Sequence, residues 1–232
     1  MTVGDDQTVV TVFLHGVGRA GISAWPRQHE AADQTWVFLD REAGVDDPRR
    51  DAERVIAVIE RSVEVVAASY GGLAAMIAAD GHPRRVRSLV LCEPACLSIA
   101  RGMTAVEAHV AALAPVFALA EDPAVSAVVF SRLLAAAMGA DPPEVPLVVL
   151  EHNVARLRAT LPPWTVEVAA DLPSRVRTLV FTGGEGGMYD EVAAVLQSNG
   201  ARHVVLRGHG HRPQDHPQAT DLMRAFWRDE LE

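Results

Sequence analysis

Ser62-Val63-Glu64-Val65-Val66-Ala67-Ala68-Ser69-Tyr70-Gly71-Gly72-Leu73-Ala74-Ala75 is a β-branched run that breaks on a serine among small residues and continues as an alanine-rich stretch. Val63 to Ala68 reads as a buried strand and residues 70–80 as the helix that follows it. Between them the chain must reverse within a residue or two, which small neighbours allow. Ala67 and Gly71 lie two positions either side of Ser69, a small-x-Ser-x-small spacing with Ala in the first place. Such a turn stands a serine Oγ clear of the end of a sheet, so the stretch reads as a nucleophile elbow. A tight strand-to-helix turn with an incidental serine would share the same letters.

Working outward, Thr8 to Leu14 and Thr35 to Leu39 are short apolar runs that end in His15-Gly16 and Asp40-Arg41. Both read as buried strands. Asp51 to Arg61 places Ala52, Val55, Ile56 and Ile59 at helical spacing. Val86 to Cys92 is a further strand, closed by Glu93-Pro94-Ala95, where proline stops the ladder. From 98 to 171 alanine-rich helical segments are broken by Pro115, Pro123, Pro142-Pro143, Pro146 and Pro162-Pro163. Strand patterns resume at Val176 to Thr182 and His203 to Leu206, with helices expected over Tyr189 to Gln197 and Pro217 to Arg228. This alternation predicts an α/β fold with a mostly parallel central sheet of about six strands and helices on both faces. Residues 1–97 and 172–232 then form one core, and 98–171 an all-helical insertion.

Composition removes several alternatives. At 232 residues the chain suits one α/β core plus an insertion. A net charge of −9 works against nucleic-acid binding. All 21 basic residues are arginine, so Schiff-base chemistry and a P-loop lysine are excluded. Cys92 and Cys96 are too few for a disulfide framework and lack the partners of a zinc site; they read as reduced core thiols. The N-terminus shows no basic region followed by an apolar one, and no apolar run approaches a membrane span. A soluble cytoplasmic protein is expected, with a small-molecule substrate and neither nucleic acid nor membrane as partner. His209-x-His211 with Asp215 and His216 lacks the i, i+4 spacing of a hydrolytic zinc site, and Gly183 to Gly187 lacks a dinucleotide fingerprint. No metal or other cofactor is implied.

His15-Gly16, Ser69 and Gly208-His209-Gly210-His211 all fall at carboxyl ends of predicted strands, where sites gather in open parallel sheets. A His-Gly pair, then a serine elbow, then a late Gly-His before a C-terminal helix resembles the α/β-hydrolase family, in the form of a small cap-bearing serine hydrolase. The resemblance covers essentially the whole chain and puts residues 98–171 where that family carries a helical cap. Only seven residues precede Thr8, so the family's usual leading antiparallel hairpin is expected to be missing. The resemblance implies Ser69 as nucleophile and His211 as its base, with His209 the rival two residues away. It implies an oxyanion hole from the backbone N–H groups of Tyr70 and Val17. The glycines at 16, 18 and 21 suit a loop that approaches substrate closely, and His15 is expected to fix that loop by hydrogen bonding.

The acid departs from the family's pattern. After the strand 176–182, the position where relatives commonly carry Asp holds glycine, with Glu185 one residue early and Asp190 further along. Some members place the acid one strand earlier in a Leu-Asp-Pro-Ala-like segment, which Leu91-Cys92-Glu93-Pro94-Ala95 resembles. Glu93 is favoured over Glu185, and both stay as candidates. The insertion, rich in Ala, Val and Leu, is expected to line an apolar substrate pocket with Trp25 and Trp164, beside Gly16. Met103, Met138, His109 and His152 are further candidates, and Arg101 reads as a surface arginine or as one that meets an anionic substrate group. The implied activity is hydrolysis of an ester, thioester, lactone or related acyl bond. The alternative is a non-hydrolytic protein of the same fold, a small-molecule binding or signalling protein or a cyclase.

Overall fold

The computed structural model describes residues 9–17, 19–40, 47–58 and 62–231. The N-terminal stretch through Thr8, Gly18, Ile59 and Arg61, on which parts of the sequence reading fall, lie outside these residues. Six strands, β1 (Val10–Leu14), β2 (Trp36–Leu39), β3 (Val63–Ala68), β4 (Val86–Cys92), β5 (Arg177–Thr182) and β6 (Arg202–Val205), form one sheet in the order β2-β1-β3-β4-β5-β6. Every neighbouring pair is parallel. Strand order reverses between β1 and β3, the crevice where open α/β sheets bind their ligands.

Successive side chains of a strand point to opposite faces, so a sheet covered on both sides must be apolar at every position. The interior strands are apolar at most positions, with Thr11, Glu64, Ser88, Thr178 and Thr182 the buried polar exceptions. Val12, Leu14, Val65, Ala67, Leu89 and Leu91 pack into the larger apolar cluster on one face, while Phe13, Val66, Ala68, Val90 and Cys92 pack into a second cluster on the other. Helices α2 (Pro48–Ala57), α3 (Gly71–Gly81) and α7 (Met188–Ser198) close the first face, and α8 (Ala219–Trp227) with the short α1 (Pro26–Glu30) closes the second. Helix α3 is apolar nearly all round because it is buried on nearly all sides. Helix α2 starts three residues earlier than its apolar spacing indicates. Asp47 caps it by accepting the Arg49 N–H at 2.9 Å, and Pro48 occupies the first turn, where its missing N–H costs nothing. The turn at 26–30 had no periodic signal to reveal it.

Residues 98–171 contain no strand. Helices α4 (Thr104–Phe117), α5 (Ala127–Ala137) and α6 (Leu147–Ala159) pack on one another around Phe130, Val116 and Val154, a cluster separate from the two sheet faces. Two polar contacts anchor this stretch to the sheet. The Glu191 carboxylate on α7 accepts the Ala105 and Val106 N–H groups at 2.9 and 2.8 Å, satisfying donors that the start of α4 leaves open. The Tyr70 hydroxyl donates to Leu161 O at 3.0 Å. Among the described residues no helix is long and apolar enough to cross a membrane.

Candidate active site

The carboxyl ends of β3, β4 and β5 form a hydrogen-bonded staircase. One residue beyond β3, Ser69 N–H donates to Cys92 O at 2.9 Å; one residue beyond β4, Glu93 N–H donates to Phe181 O at 2.8 Å. Both residues are left-handed, with φ of 52° at Ser69 and 43° at Glu93. For non-glycine residues such backbone costs about 1–3 kcal/mol each, and here the ladder bonds on either side hold it in place. Ser69 O accepts the Gly72 and Ala95 N–H groups, both at 3.0 Å, so the elbow is tied to the start of α3 and to the segment after β4. The turn leaves no room for larger neighbours. A Cβ at Gly71 would stand 2.7 Å from His15 O, and one at Gly16 would stand 2.8 Å from the Ser69 Cβ.

The two strained residues meet across one imidazole. His211 Nδ1–H donates to Glu93 Oε2 at 2.5 Å, which leaves Nε2 to accept the Ser69 hydroxyl at 3.0 Å. The other Glu93 oxygen accepts the Gly183 N–H at 2.7 Å, so the buried carboxylate has both oxygens engaged. His211 is about half exposed (48%) against 6% for Glu93: the base faces solvent and the carboxylate behind it does not.

Tyr189 completes this cluster, and the sequence reading assigned it no role. Its ring stacks on His211 with centroids 4.6 Å apart at 16°, and its hydroxyl lies 3.4 Å from Nε2. Burial, reinforced by the Glu93 charge, raises the phenol's pKa above its ordinary value, so it stays protonated at neutral pH. No motif marks it. Its only sequence signal is its position at the start of a helix that follows a glycine-rich loop.

A cavity of about 350 Å³ opens beside Ser69 at the β1/β3 switch point, lined by Gly16, Val17, Arg19, Ala24, Ala68, His211, Arg212 and Gln214. A second, of about 460 Å³, lies on the other side of His211, walled by Glu93, Glu185, Met188 and Tyr189 with Ala105, Ala108 and His109 of α4. Burial lowers the pKa of His109, so its ring is neutral at neutral pH. Tyr70 opens α3 immediately after Ser69, where a helix start carries partial positive charge. Val17 lines the Ser69 cavity from the β1 side and is 46% exposed. His15, buried beneath them, donates from Nδ1 to Gly16 O at 2.7 Å.

Other sequence candidates fall elsewhere. Trp25 is fully buried on the second face of the sheet, edge-on to Phe13 at 5.3 Å, and forms no wall of the Ser69 cavity. Trp164 is likewise interior, edge-on to Phe117 at 5.4 Å, and only its neighbour His109 reaches a cavity. Large aromatic area is worth more in a core than in a pocket wall. Met103 packs against the larger core, while Met138 and His152 are exposed. Arg101 is occupied by Glu107 at 2.6 Å, a pairing that with the Gly102 N–H holds the Glu107 carboxyl down at about 2. Glu185 lies over Gly210 and forms no hydrogen bond or ion pair among the described residues. Asp190 sits in the first turn of α7, where its charge acts on His203. His209 packs edge-on to His216 at 5.4 Å, and among the described residues no group of three His, Cys, Asp or Glu side chains could hold a metal ion. Burial drives the thiols of Cys92 and Cys96 far above the usual thiol range, so neither is a nucleophile.

The sequence model of the alpha/beta hydrolase family matches residues 11–221. Among solved structures, a thermophilic esterase from Thermogutta terrifontis, with malate bound, superposes with a TM-score of 0.64 at 17% identity, over 97% of this chain and 91% of that one. NosK from Streptomyces actuosus gives 0.65 at 20% identity, over 97% and 100%. Est816, described as an N-acyl homoserine lactone degrading enzyme, gives 0.61 at 20%, over 95% and 93%. At these identities the likeness is one of fold. No curated protein sequence matches the chain.

Proposed function

The chain belongs to the alpha/beta hydrolase family, and on that premise we propose that it is a cofactor-independent serine hydrolase acting on an ester, thioester, lactone or related acyl bond. The observation that carries this reading is the continuous relay from Ser69 through His211 to Glu93, at 3.0 and 2.5 Å. Est816 and the T. terrifontis enzyme, named for lactone degradation and ester hydrolysis, are in keeping with it.

Ser69 Oγ attacks the acyl carbon as His211 Nε2 takes its proton. Glu93, buried behind it, orients the ring and stabilises the imidazolium that forms. The oxyanion of the tetrahedral intermediate is held by the backbone N–H groups of Tyr70 and Val17, donors that need no reorganisation during the reaction. His211 returns the proton to the leaving group, then activates the water that releases the acyl group from Ser69. Tyr189 holds the imidazole plane by stacking. Residues 98–171 act as the cap, supplying the α4 wall of the second cavity.

The test is labelling by a fluorophosphonate probe together with hydrolysis of a short p-nitrophenyl ester, for the wild type, Ser69→Ala and His211→Ala. The wild type should label and turn over, and both variants should lose at least about a thousandfold in kcat. A wild type no faster than its variants would overturn the proposal and favour a binding protein on this scaffold.

A further inference from the structure

The two cavities flanking His211 differ in charge. Among the described residues, the one away from Ser69 contains two carboxylates, Glu93 and Glu185, and no arginine. The one beside Ser69 contains, among the described residues, two guanidiniums and no carboxylate, in a chain with 30 acidic residues against 21 basic ones. Of these two guanidiniums only one is uncommitted. Arg212 is held in a fork by Asp215, at 2.5 and 3.0 Å, and also donates to Ala24 O at 2.8 Å. Arg19 has no hydrogen bond or ion pair among the described residues.

Resting on the hydrolase reading above, we propose that the substrate carries a carboxylate a few bonds from its scissile acyl group, and that Arg19 receives it. One free guanidinium balances one negative charge, and its planar fork matches a carboxylate's two oxygens. A phosphate dianion would need the second arginine, which Asp215 already neutralises. Arg19 follows Val17 by two residues, at most about 7 Å of chain, so one loop supplies both an oxyanion donor and the carboxylate clamp. That spacing selects monoesters or thioesters of short dicarboxylic acids. The acidic second cavity repels the same group, which sets the orientation in which substrate enters.

The experiment compares p-nitrophenyl hemiglutarate with p-nitrophenyl butyrate, a neutral ester of similar length, in the wild type, Arg19→Gln and Arg19→Lys. Arg19→Gln should lower the anionic-to-neutral ratio of kcat/KM about tenfold, with Arg19→Lys retaining part of the preference. An unchanged ratio, including one in which both esters slow together, overturns the proposal. A second readout needs no turnover: glutarate should raise the melting temperature of the wild type and not that of Arg19→Gln, and equal shifts or none would overturn it. Failure of the hydrolase reading shows separately, as neutral-ester turnover that survives Ser69→Ala.

Discussion

Glu93→Gln is the substitution on which the structure speaks most sharply, because the two oxygens of this side chain accept from two different donors. Oε2 takes the His211 Nδ1–H at 2.5 Å and Oε1 takes the Gly183 N–H at 2.7 Å. Glutamine has the same shape and only one acceptor. If its oxygen faces His211, its NH2 meets the Gly183 N–H donor to donor inside the protein, at about 1–3 kcal/mol of stability. If its oxygen faces Gly183, its NH2 meets Nδ1, which must then be the bare nitrogen. The proton moves to Nε2, and the ring can no longer accept the hydrogen of Ser69. Either arrangement costs catalysis, and the second removes the base. The expected loss is about 10³–10⁴ in kcat with KM within about threefold. Glu185→Gln, which breaks no hydrogen bond, should stay within about threefold of wild type in both constants. The assay is steady-state hydrolysis of a p-nitrophenyl ester, with circular dichroism to show that each variant folds. A Glu93→Gln enzyme within about tenfold of wild type, or a Glu185→Gln enzyme as damaged as it, would refute the reasoning.

Two further outcomes follow from contacts beside and beneath the site. Tyr189→Phe keeps the ring on His211 and should change kcat by no more than about threefold, whereas Tyr189→Ala frees the imidazole and should lower kcat about tenfold with KM little moved; equal effects of the two would show that stacking does not position the base. Glu64, buried in β3 and bonded to the Ser88 hydroxyl with Arg87 at 3.7 Å, has its pKa raised, first of all by burial. The folded state therefore keeps that proton to higher pH than the unfolded chain, and stability falls as pH rises through the folded pKa. Glu64→Gln retains the Ser88 bond without the charge. It should melt higher than wild type near about pH 8, with the gain closing toward about pH 4, as thermal unfolding across that range would show.

What sequence alone could reach was set by how local each signal is. The elbow is legible because strand, serine and small residues are consecutive from Val63 to Gly72, and the same holds for Gly210-His211. The fold followed from apolar runs alternating with helical spacing. The choice between Glu93 and Glu185 depended on a distance between strand ends: β4 lies directly beside β3, so Glu93 arrives one strand from Ser69, whereas Glu185 follows β5, a strand further out. Tyr189 was invisible because its partner is 22 residues away and nothing in its neighbours announces a stack. Trp25 and Trp164 were drawn to the pocket by their type, and packing drew them inward. Arg19 stands out by lining the Ser69 cavity with no hydrogen bond or ion pair among the described residues, a placement that no sequence states.

The left-handed backbone at Ser69 and Glu93 also bears on redesign of this chain. Glycine would relieve the torsional strain at each position by about a kilocalorie per mole or more, since it alone adopts that conformation without penalty. Any optimisation scored on stability would therefore favour glycine at Ser69 and deliver a tougher molecule emptied of its nucleophile, whereas at Glu93 the same relief is set against the Gly183 N–H left unmatched. Sequence libraries aimed at thermal tolerance need these two positions frozen before selection begins.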